Sequence, residues 1–411
     1  MGSQGINFFK LEYQNKTTQL IVRILTIMLI MFVFLVSLKM MGGTFKHLGK
    51  ETAEAILRLT KNPFVGLFIG LLATAIIQSS STTTVLIVGL VGTKTILTGQ
   101  PLISIEHAVP MIMGANIGTS VTSTIVSLGH LTDRNEFKNA IAGATVHDIF
   151  NIFVTLVLLP LQLLTKFLSK IAIYLVDVFK ISGTAELEKS KGIMGYTVKP
   201  VAKFLSGLLP EPWLVILLSI ILLFISLRYL TKILKNLLIG KSQETIQRAI
   251  FGSPVKAVLW GAGITAAVQS SSVTTSMTVP LVASDKLSLK KAFPFLLGAN
   301  IGTTITALLA SLGTEVSGVT IAVCHFLFNL LGVLLFMLVP KFSSLPVKVA
   351  EAIGALTLKN RIFGFVYIIG VFFLLPFTMI YFSGISYKDI VSEKQQLKQE
   401  KNDKIQEGKV K

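Results

Sequence analysis

The chain has one cysteine, five histidines and only 14% charged residues in 411 positions. The lone Cys324 excludes an internal disulfide framework and any cysteine-ligated metal cluster. Its apolar neighbours mark it as a buried, inert thiol. No His-Glu-x-x-His string occurs and no pair of carboxylates lies within the apolar runs, which argues against metallohydrolase and glycosidase chemistry. Soluble globular proteins carry about 25% charged residues, so the shortfall fits a chain that faces lipid. Acidic residues are scarcer than basic ones, 20 against 38, for a net charge of +18. The lysines and arginines sit at the ends of apolar runs and in loops, where the positive-inside bias and anionic headgroups account for them. Nucleic acid is therefore not expected as a partner.

Hydrophobic residues make up 52% of the chain. Apolar runs near the roughly 20 residues a bilayer requires occur around residues 19–42, 139–163, 212–239, 317–340 and 361–384. The first run follows a charged lead and is too long for a signal-peptide core, so it reads as a retained span. These features predict an all-α polytopic membrane protein.

Two short strings occur twice, in the same order. Gln78-Ser79-Ser80-Ser81 returns as Gln269-Ser270-Ser271-Ser272, each followed one residue later by paired threonines, Thr83-Thr84 and Thr274-Thr275. Gly114-Ala115-Asn116-Ile117-Gly118-Thr119 returns as Gly298-Ala299-Asn300-Ile301-Gly302-Thr303, each with a proline four residues upstream, Pro110 and Pro294. A third pattern, from Ala144 through His147 and Asp148 to Asn151, echoes from Ala322 through His325 to Asn329. Each half then reads as a span, an amphipathic stretch (43–62 and 240–256), a Gln-Ser-Ser-Ser segment, a Gly-Ala-Asn segment and a His…Asn helix. This order predicts an N-terminal cytoplasmic segment 1–18, repeats at 19–163 and 212–340, and a linker at 164–211 with an amphipathic piece at 166–180. Beyond them lie an amphipathic stretch with a last span at 341–384 and a charged tail at 385–411.

The apolar pieces flanking Gln-Ser-Ser-Ser, 64–77 with 85–92 and 257–268 with 277–283, are too short to span. A re-entrant hairpin with a polar tip fits them. Such backbone is tolerated at membrane depth only against protein or a watery cavity; the alternative is a single span with a polar stripe. In the Gly-Ala-Asn segments, two glycines four apart also suit close helix packing. The flanked asparagine, the hydroxyls and the upstream proline favour a broken helix that faces a ligand. With the hairpins not counted, each half has three spans, and an odd number inverts the second half relative to the first. The basic clusters at 228–256 and 341–361 read as cytoplasmic, as does the N-terminus. The tail after a seventh span then falls outside, against the same bias.

Hydroxyls, amides and helix N-terminal N–H groups hold a dehydrated oxyanion, and oxygen ligands suit a hard cation such as sodium. No lysine or arginine lies between Val65 and Val91 or between Ala257 and Ser284, so an anion there would be neutralised by co-bound cations, which couples the two. Ser80 or Ser271 as a nucleophile would need His147 or His325 as its base, but a helical His and Asn one turn apart favour interhelical hydrogen bonds instead. Importing a divalent anion against 100 mV costs about 4.6 kcal/mol, at about 2.3 per charge. One sodium moving down a tenfold gradient returns about 3.7 kcal/mol, the sum of voltage and concentration terms. At least two sodium ions per divalent anion are therefore required.

The doubled strings resemble those of the type II sodium–phosphate cotransporter family, over residues from about 20 to 384. The resemblance implies a sodium-driven importer of inorganic phosphate, dimeric in its working form and elevator-like in motion, with Na+ as co-transported ion and no other cofactor. It implies phosphate contacts at Ser79, Ser80, Ser81, Ser270, Ser271, Ser272, Asn116 and Asn300. Gln78, Gln269, Thr83, Thr274, Thr119 and Thr303 are assigned to the sodium and hairpin framework. The short, cysteine-free linker 164–211, where animal members carry a disulfide-bridged loop, suggests a bacterial member in the inner membrane. The first hairpin and the loop after it, 63–105, hold no acidic residue, whereas electrogenic relatives use an extra carboxylate for a third sodium, so the resemblance allows an electroneutral cycle. Another tetrahedral oxyanion, proton coupling, or a non-transporting membrane scaffold are the alternative readings.

Overall fold

The computed structural model describes residues 16–46, 60–94, 99–179, 197–238, 250–339, 342 and 344–383. The charged tail, most of the two amphipathic stretches and the start of the chain lie outside the described residues. The described elements are helical. In the first half they are α1 (Lys16–Lys46), α2 (Pro63–Ile77), α3 (Ser80–Val91), α4 (Ile105–Gly118), α5 (Val121–Ser127), α6 (Arg134–Thr165) and α7 (Phe167–Val178). After α8 (Val198–Gly207) come α9 (Pro212–Leu238), α10 (Pro254–Val268), α11 (Ser271–Ser276), α12 (Val279–Ala283), α13 (Leu289–Ser311) and α14 (Val316–Leu338). The chain continues through α15 (Leu345–Lys359) and α16 (Ile362–Ile369), then a π-helical turn, Gly370–Leu374, to α17 (Leu375–Phe382).

Six stretches among the described residues are long and apolar enough to cross a membrane: 24–41, 105–130, 134–165, 289–311, 316–338 and 362–382. The protein is a multi-pass membrane protein. The span expected at 212–239 falls on α9, whose fully described apolar part, Pro212–Leu223, is shorter than a crossing. The expected amphipathic piece at 166–180 is α7, which turns off the end of α6 at Lys166 in the left-handed region. Gln162 holds that turn: its Oε1 accepts from the N–H groups of Leu168 and Ser169.

The same local devices build both halves. Asn62 caps α2 with Pro63 at the first helical position, and Ser253 caps α10 with Pro254 there; proline suits that position because its missing N–H would have no partner anyway. α2 packs along α4 and α10 along α13 at backbone distance. A Cβ on Gly70 would strike the Met111 carbonyl oxygen, and one on Gly114 that of Leu67. In the second half Gly261 stands in the same way against Phe295, and Gly298 against Val258. The glycines of the Gly-Ala-Asn strings thus serve close helix packing. The expected broken helix holds in the first half, where the helix is interrupted at the end of the string, Thr119-Ser120. In the second half it is corrected, because α13 runs unbroken from Leu289 to Ser311.

The halves also interlock. The exit of the first hairpin meets the start of α14, where Glu315 N–H donates to the Gly92 carbonyl at 3.0 Å and Ser317 Oγ to that of Val91 at 2.8 Å. The exit of the second meets the start of α6, where Asn139 Nδ2 donates to Asp285 Oδ1 at 2.9 Å. Phe150 of α6 packs edge-on against Phe336 of α14 and Phe293 of α13, with centroids 5.2 and 6.0 Å away. A smaller core, Val36 and Met40 of α1 with Val198, Ala202 and Val215, joins α1, α8 and α9 to one another.

Candidate functional site

Each Gln-Ser-Ser-Ser string is a turn between two half-length helices. Gln78 (φ 55°) and Gln269 (φ 54°) adopt the left-handed conformation, and their N–H groups close α2 and α10 onto the Thr74 and Thr265 carbonyls at 2.7 and 2.6 Å. The next residue starts the following helix. Ser79 Oγ accepts from Thr82 N–H and Ser270 Oγ from Val273 N–H, the hydroxyl caps that a helix N-terminus favours. At each turn a helix C-terminus, which attracts cations, thus stands beside a helix N-terminus, which attracts anions.

The two turns meet. Ser81 Oγ donates to the Gln269 carbonyl at 3.2 Å, across 188 residues of sequence, and Ser272 Oγ donates to the Thr119 carbonyl at 3.4 Å. Ser80, Ser81, Ser271 and Ser272 are all buried, whereas Ser79 and Ser270 are half-buried. Ser271 Oγ is buried without a partner. Thr83 and Thr274 return their hydroxyls to the Ser79 and Ser270 carbonyls, and Thr119 and Thr303 to those of Ala115 and Ala299, which anchors all four side chains. The Gln78 side chain is exposed and that of Gln269 half-buried.

Behind the turns lies a buried amide–imidazole network shared by the halves. His147 Nε2 donates to Asn300 Oδ1 at 2.5 Å, Asn300 Nδ2 to Asn151 Oδ1 at 2.7 Å, and Asn151 Nδ2 to the Asn116 carbonyl at 2.9 Å. Asn116 Oδ1 accepts from His325 Nε2 at 3.4 Å, while its Nδ2 donates to the Ile112 carbonyl. Both histidines hold asparagines, and neither is hydrogen-bonded to Ser80 or Ser271. Each asparagine keeps one amide hydrogen beyond these bonds.

Among the described residues no lysine or arginine is buried, but Asp148 is fully so. Tyr367 of α16 donates its hydroxyl to Asp148 Oδ2, and Oδ1 has no partner. Sequence reasoning passed over this pair, although a carboxylate in mid-span is itself a signal. Thr74 and Thr265, also passed over, keep a buried Oγ1 without a hydrogen-bond partner. Among the described residues the constellation is a buried, oxygen- and amide-lined centre without fixed cations, suited to an oxyanion accompanied by hard cations.

The Na+/Pi-cotransporter family model matches residues 33–175 and 222–360. Sodium-dependent phosphate transport protein 2B of Homo sapiens is 32% identical over 465 aligned residues, covering 90% of this chain and 66% of that protein. The same-named protein of Pongo abelii is 33% identical, with 90% of this chain and 66% of its own length covered. Sodium-dependent phosphate transport protein 2A of Rattus norvegicus is 34% identical, with 84% and 65% covered. The chain thus spans just under two thirds of the length of these relatives. No solved structure matches it. On the family match and on relatives of this identity, the chain belongs to the Na+/Pi-cotransporter family.

Proposed function

We propose that the protein is a sodium-coupled importer of inorganic phosphate. The observation that carries this reading is the contact between the two serine turns, Ser81 Oγ to the Gln269 carbonyl, which gathers helix N-termini and hydroxyls from both halves around one point. In this reading Ser79–Ser81 and Ser270–Ser272 hold phosphate through hydroxyls and N–H groups, helped by the remaining amide hydrogens of Asn116 and Asn300. Gln78, Gln269, Thr83, Thr274, Thr119 and Thr303 form the framework in which sodium ions sit. At least two sodium ions accompany each divalent phosphate, since one fails against the membrane potential. The relatives' names, sodium-dependent phosphate transport proteins, support the choice of both ions.

The two halves take opposite orientations in a bacterial inner membrane, with the N-terminus cytoplasmic. The smaller core that joins α1, α8 and α9 supports a scaffold against which the serine turns move, with a second copy of the chain as partner; Phe34, Met41 and Leu223 are where this scaffold meets the main core. The test is labelled phosphate uptake into proteoliposomes of the purified chain under an imposed sodium gradient. Uptake that follows sodium supports the reading. Sodium-independent uptake points to proton coupling, uptake of sulfate in preference to phosphate to another oxyanion, and no uptake to a scaffold; each of these overturns it.

A further inference from the structure

Each side chain of the buried amide–imidazole network has a counterpart in the other half. The recurring strings pair His147 with His325, Asn151 with Asn329 and Asn116 with Asn300. One set of contacts is closed. His147 Nε2 donates to Asn300 Oδ1, Asn300 Nδ2 to Asn151 Oδ1, and Asn151 Nδ2 to the Asn116 carbonyl, at 2.5, 2.7 and 2.9 Å. That carbonyl also accepts from Thr119 N–H, where α4 ends.

The counterpart set is open at every step. His325 Nε2 stands 3.4 Å from Asn116 Oδ1, beyond the usual hydrogen-bond range. Asn116 Nδ2 turns back to the Ile112 carbonyl of its own helix at 2.8 Å instead of reaching Asn329. Asn329 Nδ2 turns back to the His325 carbonyl at 3.1 Å instead of reaching Asn300. Asn329 Oδ1 is left without a partner in a residue that is 1% exposed. The serine turns are one-sided too. Ser81 Oγ reaches the Gln269 carbonyl and Ser272 Oγ that of Thr119, while neither counterpart bond, Ser272 to Gln78 or Ser81 to Thr303, is made.

Buried acceptors are nearly always paired, and leucine would fill the place of Asn329 without leaving one bare. The closed set shows what the open one lacks. There a single amide, Asn300, bridges a histidine and an asparagine one helical turn apart. Asn116 already turns its oxygen to His325, and swinging its nitrogen from Ile112 to Asn329 would complete the same bridge. Two locally alike halves in opposite orientations have a second state in which their conformations are exchanged and the site opens to the other face.

We propose that Asn329 is a positioning residue of that opposite-facing state. In it Asn329 Oδ1 accepts from Asn116 Nδ2, His325 closes onto Asn116 Oδ1, and the run from His147 through Asn300 to Asn151 opens. The inference rests on the transport reading and the opposed halves proposed above. Asn116 and Asn300 serve the anion in that reading, so the exchange ties the phosphate ligands to the side on which the site opens.

The test measures labelled phosphate transport by the full-length chain, reconstituted in one orientation, with phosphate supplied at either face of the vesicle. A state populated to a fraction f binds with its half-saturation raised by 1/f, so a bias between the states moves the constants at the two faces in opposite directions. Asn329→Leu removes an acceptor that the present state leaves unused, and its melting temperature stays near the parent's. It slows maximal transport and shifts the ratio of the two half-saturation constants about tenfold, the bias that one hydrogen bond supplies. Asn329→Ala does the same, and Asn329→Gln, which keeps an acceptor, shifts the ratio less. Asn151→Leu breaks the closed run, lowers the melting temperature and moves the ratio the opposite way; the double variant returns it toward the parent's. A ratio unmoved by both Asn329→Leu and Asn329→Ala, or moved in one direction by the Asn329 and Asn151 variants alike, overturns the exchange and leaves the transport reading intact. A parent chain without sodium-driven phosphate transport overturns both.

Discussion

His147 and Asn300, 153 residues apart, are joined by a 2.5 Å hydrogen bond between fully buried side chains of opposite halves. The bond fixes the imidazole with its proton on Nε2 and turns the asparagine amide so that Nδ2 reaches Asn151. His147→Ala leaves Asn300 Oδ1 buried and unpaired, at a cost of about 1–3 kcal/mol. The melting temperature of the purified protein falls, and the phosphate concentration for half-maximal uptake rises. His147→Gln, which can donate at a similar place, recovers part of both.

Ser271 gives a sharper separation of fold from function. Its Oγ has no partner within the protein, so Ser271→Ala removes no internal hydrogen bond. The melting temperature stays within a degree or two of the parent, as for a change below about 0.5 kcal/mol, while phosphate uptake is lost. Ser80→Ala also abolishes uptake. Normal uptake by both variants would remove the serine turns from the site.

The glycine contacts make a stability prediction. Gly70→Ala and Gly298→Ala each drive a methyl into a carbonyl oxygen of the neighbouring helix, costing about 1–3 kcal/mol or more. Fluorescence-detected size exclusion should show little folded protein. Gly263→Ala, on the same helix as Gly261 but with nothing within 4 Å of the added methyl, is neutral or stabilising.

Gln78 holds a left-handed φ of 55°, strained for a residue with a side chain. Gln78→Gly keeps the turn and removes the amide. The folded yield is maintained or improved, and the sodium dependence of uptake shifts to higher concentration. An unchanged sodium dependence would leave the amide with no part in the ion framework.

Tyr367→Phe strips Asp148 of the hydrogen bond that joins α16 to α6, leaving both carboxyl oxygens without the partners described here. The loss is about 1–3 kcal/mol, visible as a lower melting temperature. Cys324→Ala, by contrast, is nearly silent, since its Sγ makes only a long contact to the Leu168 carbonyl at 3.7 Å.

The recurring strings are legible as turns in part, because Ser79 and Ser270 cap the helices that follow them. The left-handed Gln78 and Gln269 that end the preceding helices are not, since glutamine is a good helix former. The Gly-Ala-Asn string of the second half misleads for an equally physical reason, since its helix is continuous. Glycine weakens a helix in isolation, but here a neighbouring backbone occupies the space a side chain would fill, and packing overrides propensity. The partners of His147 and of Asp148 lie 153 and 219 residues away, on helices whose facing sides no local pattern encodes. Thr74 and Thr265 carry no signal in composition or period. Only the coordinates show that they forgo the bond their neighbours make.

The most direct measurement is a density map of the purified protein with phosphate and sodium bound. The account predicts an anion between the two serine turns, touched by residues of both Ser79–Ser81 and Ser270–Ser272. An anion held by one turn alone, or a structure in which either turn faces lipid away from the other, contradicts it.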